Sequence, residues 1–143
     1  MKIDLDYLAS LLAVFLNSEE AHVDYDEFTK SGIEVEKDNY LNDKFLFHIQ
    51  IAIDNHLIGK RTGPVFNLED VGISQYLDGT DSVCNMPLRL TQTGHDFANT
   101  LNNKEVLEKL KTELKDAPFK TIFEGGQKML QHIMTKKMEA ILE

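Results

Sequence analysis

Five histidines, one cysteine and 24 acidic side chains carry most of the reactive groups in this chain of 143 residues. His22, His48, His56, His95 and His132 include no pair four residues apart, and Cys84 has no Cys-x-x-Cys partner, so the spacing supports neither a zinc centre nor a disulfide. Asp24-Tyr25-Asp26 starts like a calcium-binding loop. The positions where that loop needs an oxygen donor, a glycine and a glutamate hold Phe28, Thr29 and Val35 instead. Carboxylate pairs such as Asp4 with Asp6 and Glu19 with Glu20 have nothing beside them in sequence that forms a cleft, and solvated surface is the expectation for each. His48 and His95 are expected to hydrogen-bond within the fold, and Cys84 to be an inert thiol with no base beside it. With no phosphate loop, no Gly-x-Ser-x-Gly elbow and no dinucleotide fingerprint, the sequence predicts no catalytic residue, metal or cofactor, and a protein that is not an enzyme.

What remains is binding chemistry, and it concentrates on one stretch. Residues 41 to 57 have helical periodicity, with Leu41, Phe45, Leu46, Ile49, Ala52, Ile53 and Leu57 on one arc and Asn42 and His56 as polar interruptions. The opposite arc sets Lys44 and Gln50 against Asp43 and Asp54, with Phe47 and Ile51 between them. A helix that reads DNA offers Arg, Lys, Asn or Gln to base edges and further cations to phosphates. Lys44, Gln50, Lys60, Arg61 and Arg89 are the candidates for that role. Candidates for contact with a protein partner are Glu19, Glu20, Asp24, Asp26, Glu27, Asp43, Phe47, Ile51 and Asp54.

Charge discriminates between the two. The formal net charge is −9, and it is uneven: residues 1–83 hold 16 acids and 6 bases, residues 84–143 hold 8 acids and 9 bases. Neutralising phosphates takes surplus Lys and Arg, so nucleic acid is disfavoured and a protein partner is the expectation. A chain of this length with 42% hydrophobic residues can close one core. The apolar runs are short, and the first residues carry Asp4 and Asp6 instead of a basic, apolar leader. The expectation is a soluble cytoplasmic protein with no membrane partner.

The elements that must position these side chains follow from spacing and punctuation. Leu5, Leu8, Leu11, Leu12, Phe15 and Leu16 predict a first helix, followed by a short extended link at 21–25 and a short helix stopped by Gly32. After the helix over 41–57 come a strand at 57–61, a long loop with an ordered piece at 68–77, and a returning strand at 86–90. Thr91 is placed to cap a helix carrying Phe97 and Leu101; Asn102 with Glu105 has capping-box spacing for a restart; Pro118 closes that helix and opens the last. In the last helix, Phe119 to Ile141 hold an apolar stripe. Gly126 falls on its face, where it admits a neighbouring helix, and Gly125 falls off it. The predicted fold is mainly α with a small antiparallel β-hairpin: a core over residues 1–90 with a long wing loop, and C-terminal helices over 91–143 packed on it as one domain. The Met129, Met134 and Met138 stripe suits either that core or a homodimer through 119–142.

Helix, short strand, helix, helix, strand, loop, strand is the element order of a winged helix, whose third helix enters a DNA groove and whose loop is the wing. Leu90-Thr91-Gln92-Thr93-Gly94 is similar to the Leu-Thr-x-x-Gly that closes the wing in many bacterial winged-helix regulators. Phe47-His48-Ile49 leading to Leu57-Ile58, together with Leu90-Thr91 and Gly94-His95-Asp96-Phe97, resembles a family from bacteria, phages and prophages that is catalogued only as a domain of unknown function. The chain departs from that family in lacking the tryptophan that often follows the Gly-His-x-Phe helix, and in a longer segment from Phe66 to Cys84. The resemblance implies a winged-helix core and a phage or prophage setting inside a bacterial host, and it implies no activity. The expected function is a non-enzymatic protein whose acidic face contacts a protein, inhibiting or modulating a host nucleic-acid-binding or defence complex. The alternative is a winged-helix transcriptional regulator that binds DNA as a dimer.

Overall fold

Side-chain caps and apolar spacing together account for where the helices begin and end. A computed structural model describes residues 1–143 as mainly helical, with three small antiparallel sheets in place of a single hairpin. Helix α1 (Leu5–Asn17) starts where the Asp4 side chain accepts the Tyr7 N–H, and buries Leu5, Leu8, Leu11, Leu12 and Val14. Helix α2 (Tyr25–Lys30) is capped by Asp24 and ends on Gly32 at φ 88, with Ile33 N–H donating to Phe28 O and Gly32 N–H to Thr29 O. That pairing is a Schellman stop, and it needs a left-handed residue at Gly32. The extended link before α2 forms a single bridge, Val23 to Leu88.

Strands β1 (Glu36–Lys37) and β2 (Tyr40–Leu41) form a hairpin that the sequence did not predict. Its two turn residues, Asp38 and Asn39, both have positive φ, as a two-residue turn matched to strand twist demands. Helix α3 is Asp43–Asp54, shorter than the periodicity over 41–57 indicated. Leu41 is buried from β2, not from the helix; Asn42 is the N-cap, accepting the Phe45 N–H; and Leu57 lies beyond a second Schellman stop. Here His56 takes the left-handed position at φ 55, while Leu57 N–H donates to Ala52 O. The two polar interruptions in the stripe are thus the helix's two boundaries.

Strands β3 (Ile58–Lys60), β4 (Gly63–Pro64) and β7 (Leu88–Leu90) make a sheet in the order β4-β3-β7, with Ile58 opposite Leu90 and Pro64 on the edge, where its missing N–H costs no ladder bond. Between β4 and β7 the predicted loop is a folded insertion. A 3-10 turn at Glu69–Val71 leads into a second hairpin, β5 (Ile73–Gln75) with β6 (Asp81–Val83). Val65, Val71 and Ile73 are buried, and the Tyr25 hydroxyl donates to Val71 O at 2.5 Å. Phe28 and Phe45 stand edge-to-face at the centre of this core, with Tyr25 and Phe15 against them.

Helices α4 (Gln92–Asn102), α5 (Lys104–Glu113) and α6 (Phe119–Leu142) complete the chain. Thr91 caps α4 as expected, its hydroxyl accepting the Gly94 N–H and donating to His56 O. Asn103, not Asn102, caps α5 by accepting the Val106 N–H; and α5 ends at Glu113, five residues before Pro118 opens α6. The chain divides within α4 into two units, Met1–His95 and Asp96–Glu143. In the second, Phe97, Phe119 and Phe123 form a ring cluster, and Gly126 lets α6 approach Thr100 and Leu110. The α6 stripe then leaves the core: Met134, Met138, Ile141 and Leu142 are 46 to 77% exposed. Gly125 is not off-face in open space, since a Cβ there would meet Leu114 at 2.9 Å. No helix is long and apolar enough to cross a membrane.

Candidate functional site

The first unit carries the sequence-predicted binding residues, and its internal hydrogen bonds decide which of them remain available. His48, fully buried on α3, accepts the Asp4 N–H at Nε2 (2.9 Å), and its Nδ1 stands 2.7 Å from Lys44 O. A backbone N–H only donates and a carbonyl only accepts, so the ring is held neutral with its proton on Nδ1. Burial pushes the imidazole below its ordinary range, against the opposite pull of the Lys44 carbonyl and the Asp4 carboxylate. With both nitrogens committed, His48 is a structural clasp between α1 and α3, and it offers no free lone pair for base chemistry. His95 is exposed on α4, and no group of three or more His, Cys, Asp or Glu side chains is placed to hold a metal ion.

The five candidates for DNA contact are mostly spent within the fold. Lys44 pairs with Asp4 at 2.8 Å and lies over the Tyr7 ring; its hydrogen bond, with the Tyr7 N–H, holds the Asp4 carboxyl below its usual range. Lys60 is 3.6 Å from Asp70, whose carboxyl is lowered first by the Phe66 N–H and then by that lysine. Arg61 opens onto a cleft of about 280 Å³ among Glu20, Asp24 and Glu27. The Arg89 guanidinium lies across Gly59, 3.3 Å from where a side-chain carbon would stand there. Arg61 and Gln50 have no hydrogen-bond or ion-pair partner within the fold, and Gln50 lines a groove that also holds Asp54 and Glu69.

The partner-contact candidates separate into two groups. Glu19 and Glu20 are exposed after α1, and Glu20 shares the small cleft with Asp24 and Glu27. Asp24 is also the α2 cap, and the Asn85 amide reaches both Asp24 and Asp26 at 3.4 and 3.2 Å, so these two carboxylates are partly structural. On α3, Asp43 is exposed at the first turn, while Phe47 and Ile51 are half-buried, Phe47 edge-on to His48. Asp54, in the last turn of α3, lines a larger groove.

That groove, about 550 Å³, runs between α3 and the insertion. Gln50 and Asp54 form one wall, one helical turn apart, and Glu69 and Gln75 rise from the insertion opposite. Ile53 and Ile73 floor it, and Phe66 stands 68% exposed at its edge. The sequence reading missed Phe66, Glu69 and Gln75, because nothing in the residue pattern folds the insertion back along the helix. Large exposed side chains also mark this part of the first unit, at Tyr40, Tyr76 and Leu77; the Tyr76-Leu77 pair flanking the Asp78-Gly79 turn was the visible signal. No family model, curated protein or solved structure matches this chain, and the groove and the acidic cleft are read from their own geometry.

Proposed function

We propose that this is a non-enzymatic binding module, of phage or prophage type, that engages a protein through the acidic face of its first unit. The observation that carries the reading is the fate of the cations: Lys44 and Lys60 are paired with carboxylates of their own chain and Arg61 shares a cleft with Glu20, Asp24 and Glu27, while Glu19, Glu20, Asp43, Asp54 and Glu69 stay exposed. A phosphate backbone approaching this face meets acceptors where it needs donors. A basic protein surface meets the reverse, and exposed Tyr40, Phe66 and Tyr76 supply the aromatic anchors that interface cores favour. The order of α1, α2, α3, β3, insertion and β7 supports a winged-helix core, with the insertion as the wing. On that reading, the carboxylates lie where a regulator would grip DNA, and such a protein modulates a host nucleic-acid-binding or defence complex by occupying its basic surface.

Two measurements test this. At low salt the full chain is expected to pass through immobilised heparin and random duplex without retention; retention, or a specific shift of duplex DNA, would replace the reading with that of a dimeric DNA-binding regulator. A partner isolated with the chain from a bacterial host is expected to be lost on reversing Glu19, Glu20 and Glu27 to lysine together. A complex indifferent to that reversal and to salt counts against an acidic contact face.

A further inference from the structure

We propose that the groove between α3 and the insertion is a receptor for an arginine side chain of a partner protein. The inference rests on the protein-binding reading above and adds the chemistry of one contact. Four groups line the groove with no partner inside the fold: the carboxylates of Asp54 and Glu69 and the amides of Gln50 and Gln75. None of its lining residues is basic, and Lys60, the cation paired to the neighbouring Asp70, is held by that pairing. The last turn of α3 forms one wall, and the macrodipole adds partial negative charge at that end of a helix. The groove is therefore complementary to a cation that carries several donors.

Two features of the groove favour guanidinium over ammonium, and its floor suits the stem of either cation. The five N–H groups of a guanidinium lie in a plane and in a fork, which suits acceptors on two facing walls, whereas an ammonium is a compact point charge. The apolar floor of Ile53 and Ile73 accommodates a hydrocarbon stem. Phe66, two-thirds exposed at the rim, offers an aromatic face on which a guanidinium stacks. Its exposure in the free protein is the cost that such stacking removes.

The probe is N-acetyl-arginine amide, titrated into the isotopically labelled full chain and followed by amide chemical shifts, with the lysine and citrulline analogues as controls. Saturable shifts are expected at Gln50, Asp54, Phe66, Glu69 and Gln75, with lysine binding about tenfold weaker and the neutral citrulline not at all. Asp54→Asn with Glu69→Gln should abolish saturation without lowering the melting temperature, since neither carboxylate has a partner in the fold and Asp54 stands at the negative end of α3. Phe66→Ala should weaken arginine more than lysine. Absence of saturable shifts, equal response to citrulline, or shifts centred on the Glu20 and Glu27 cleft overturns the proposal. If a complex is lost on reversing Glu19, Glu20 and Glu27 but survives Asp54→Asn with Glu69→Gln, the groove assignment falls while the acidic-face reading stands; retention on duplex DNA removes the reading itself.

Discussion

The two units of this chain are held together by different means. Met1–His95 contains 16 acidic and 7 basic residues, and its elements are joined by polar links between distant positions, such as Asp4 to His48 and Tyr25 to Val71. Asp96–Glu143 contains 8 of each, and its helices meet through rings and a glycine. A polar clasp fixes one geometry and fails when either partner is removed. An apolar stripe tolerates substitution and grades smoothly into solvent, as Met134 to Leu142 do. The excess negative charge sits on the unit with the long-range polar clasps.

That contrast predicts a ranking of effects. The sharpest is Gly94→Ala: a Cβ at Gly94 would fall on the Leu57 carbonyl oxygen and 2.7 Å from its carbon, at the point where the same carbonyl accepts the Thr91 N–H. Backbone has nowhere to yield, so chemical denaturation should show a loss of about 3 kcal/mol. Next is His48→Phe, which fills the space but strands the Asp4 N–H, with an expected loss of about 2 kcal/mol. Wild-type stability should also depend on this ring. Its folded value is depressed, so its contribution is complete above the ordinary 6.5 and declines as pH falls from there through the folded value; the phenylalanine variant should lack that decline. A wild-type curve flat below pH 6.5 would show that the clasp does not couple to protonation.

Weaker effects belong to the second unit. Gly126→Ala puts a Cβ 2.8 Å from the Thr100 methyl, on a β-branched side chain with little rotamer freedom in a helix. The gain in helix propensity offsets part of the strain, leaving a loss of about 1 kcal/mol. Smallest is Met138→Lys, more than half exposed in α6, which should shift stability by less than about 0.5 kcal/mol. If Met138→Lys proved more damaging than Gly126→Ala, the exposed end of α6 would have a partner that stabilises the fold.

Periodicity made the helices legible, and punctuation was legible where a side chain acts on its own neighbours. Thr91 reads as a cap and is one; Asp4 and Asp24 cap at the same three-residue spacing, but among so many surface acids they read as solvated carboxylates or binding candidates. Asn42 and His56 were visible but were read as flaws in a stripe, because a residue that ends a helix and one that interrupts it look alike until the next element is known. The insertion was the least legible part. Its strands are three residues long, too short for alternation to register, and Val71 is placed by a hydroxyl 46 residues away. The groove inherits that opacity: Gln50 and Asp54 were on the page, but their facing wall exists only through long-range packing.

The bond from Tyr25 to Val71 bears on more than the position of one turn. It ties the insertion to the aromatic core of the first unit, with Val65, Val71 and Ile73 buried beside it. An insertion built this way does not wait for a ligand to order it. Its conformational entropy is surrendered during folding, so any association through it would cost side-chain freedom but little backbone freedom. Binding should then proceed as the meeting of two finished surfaces, with small shape changes and a rate set by encounter and charge.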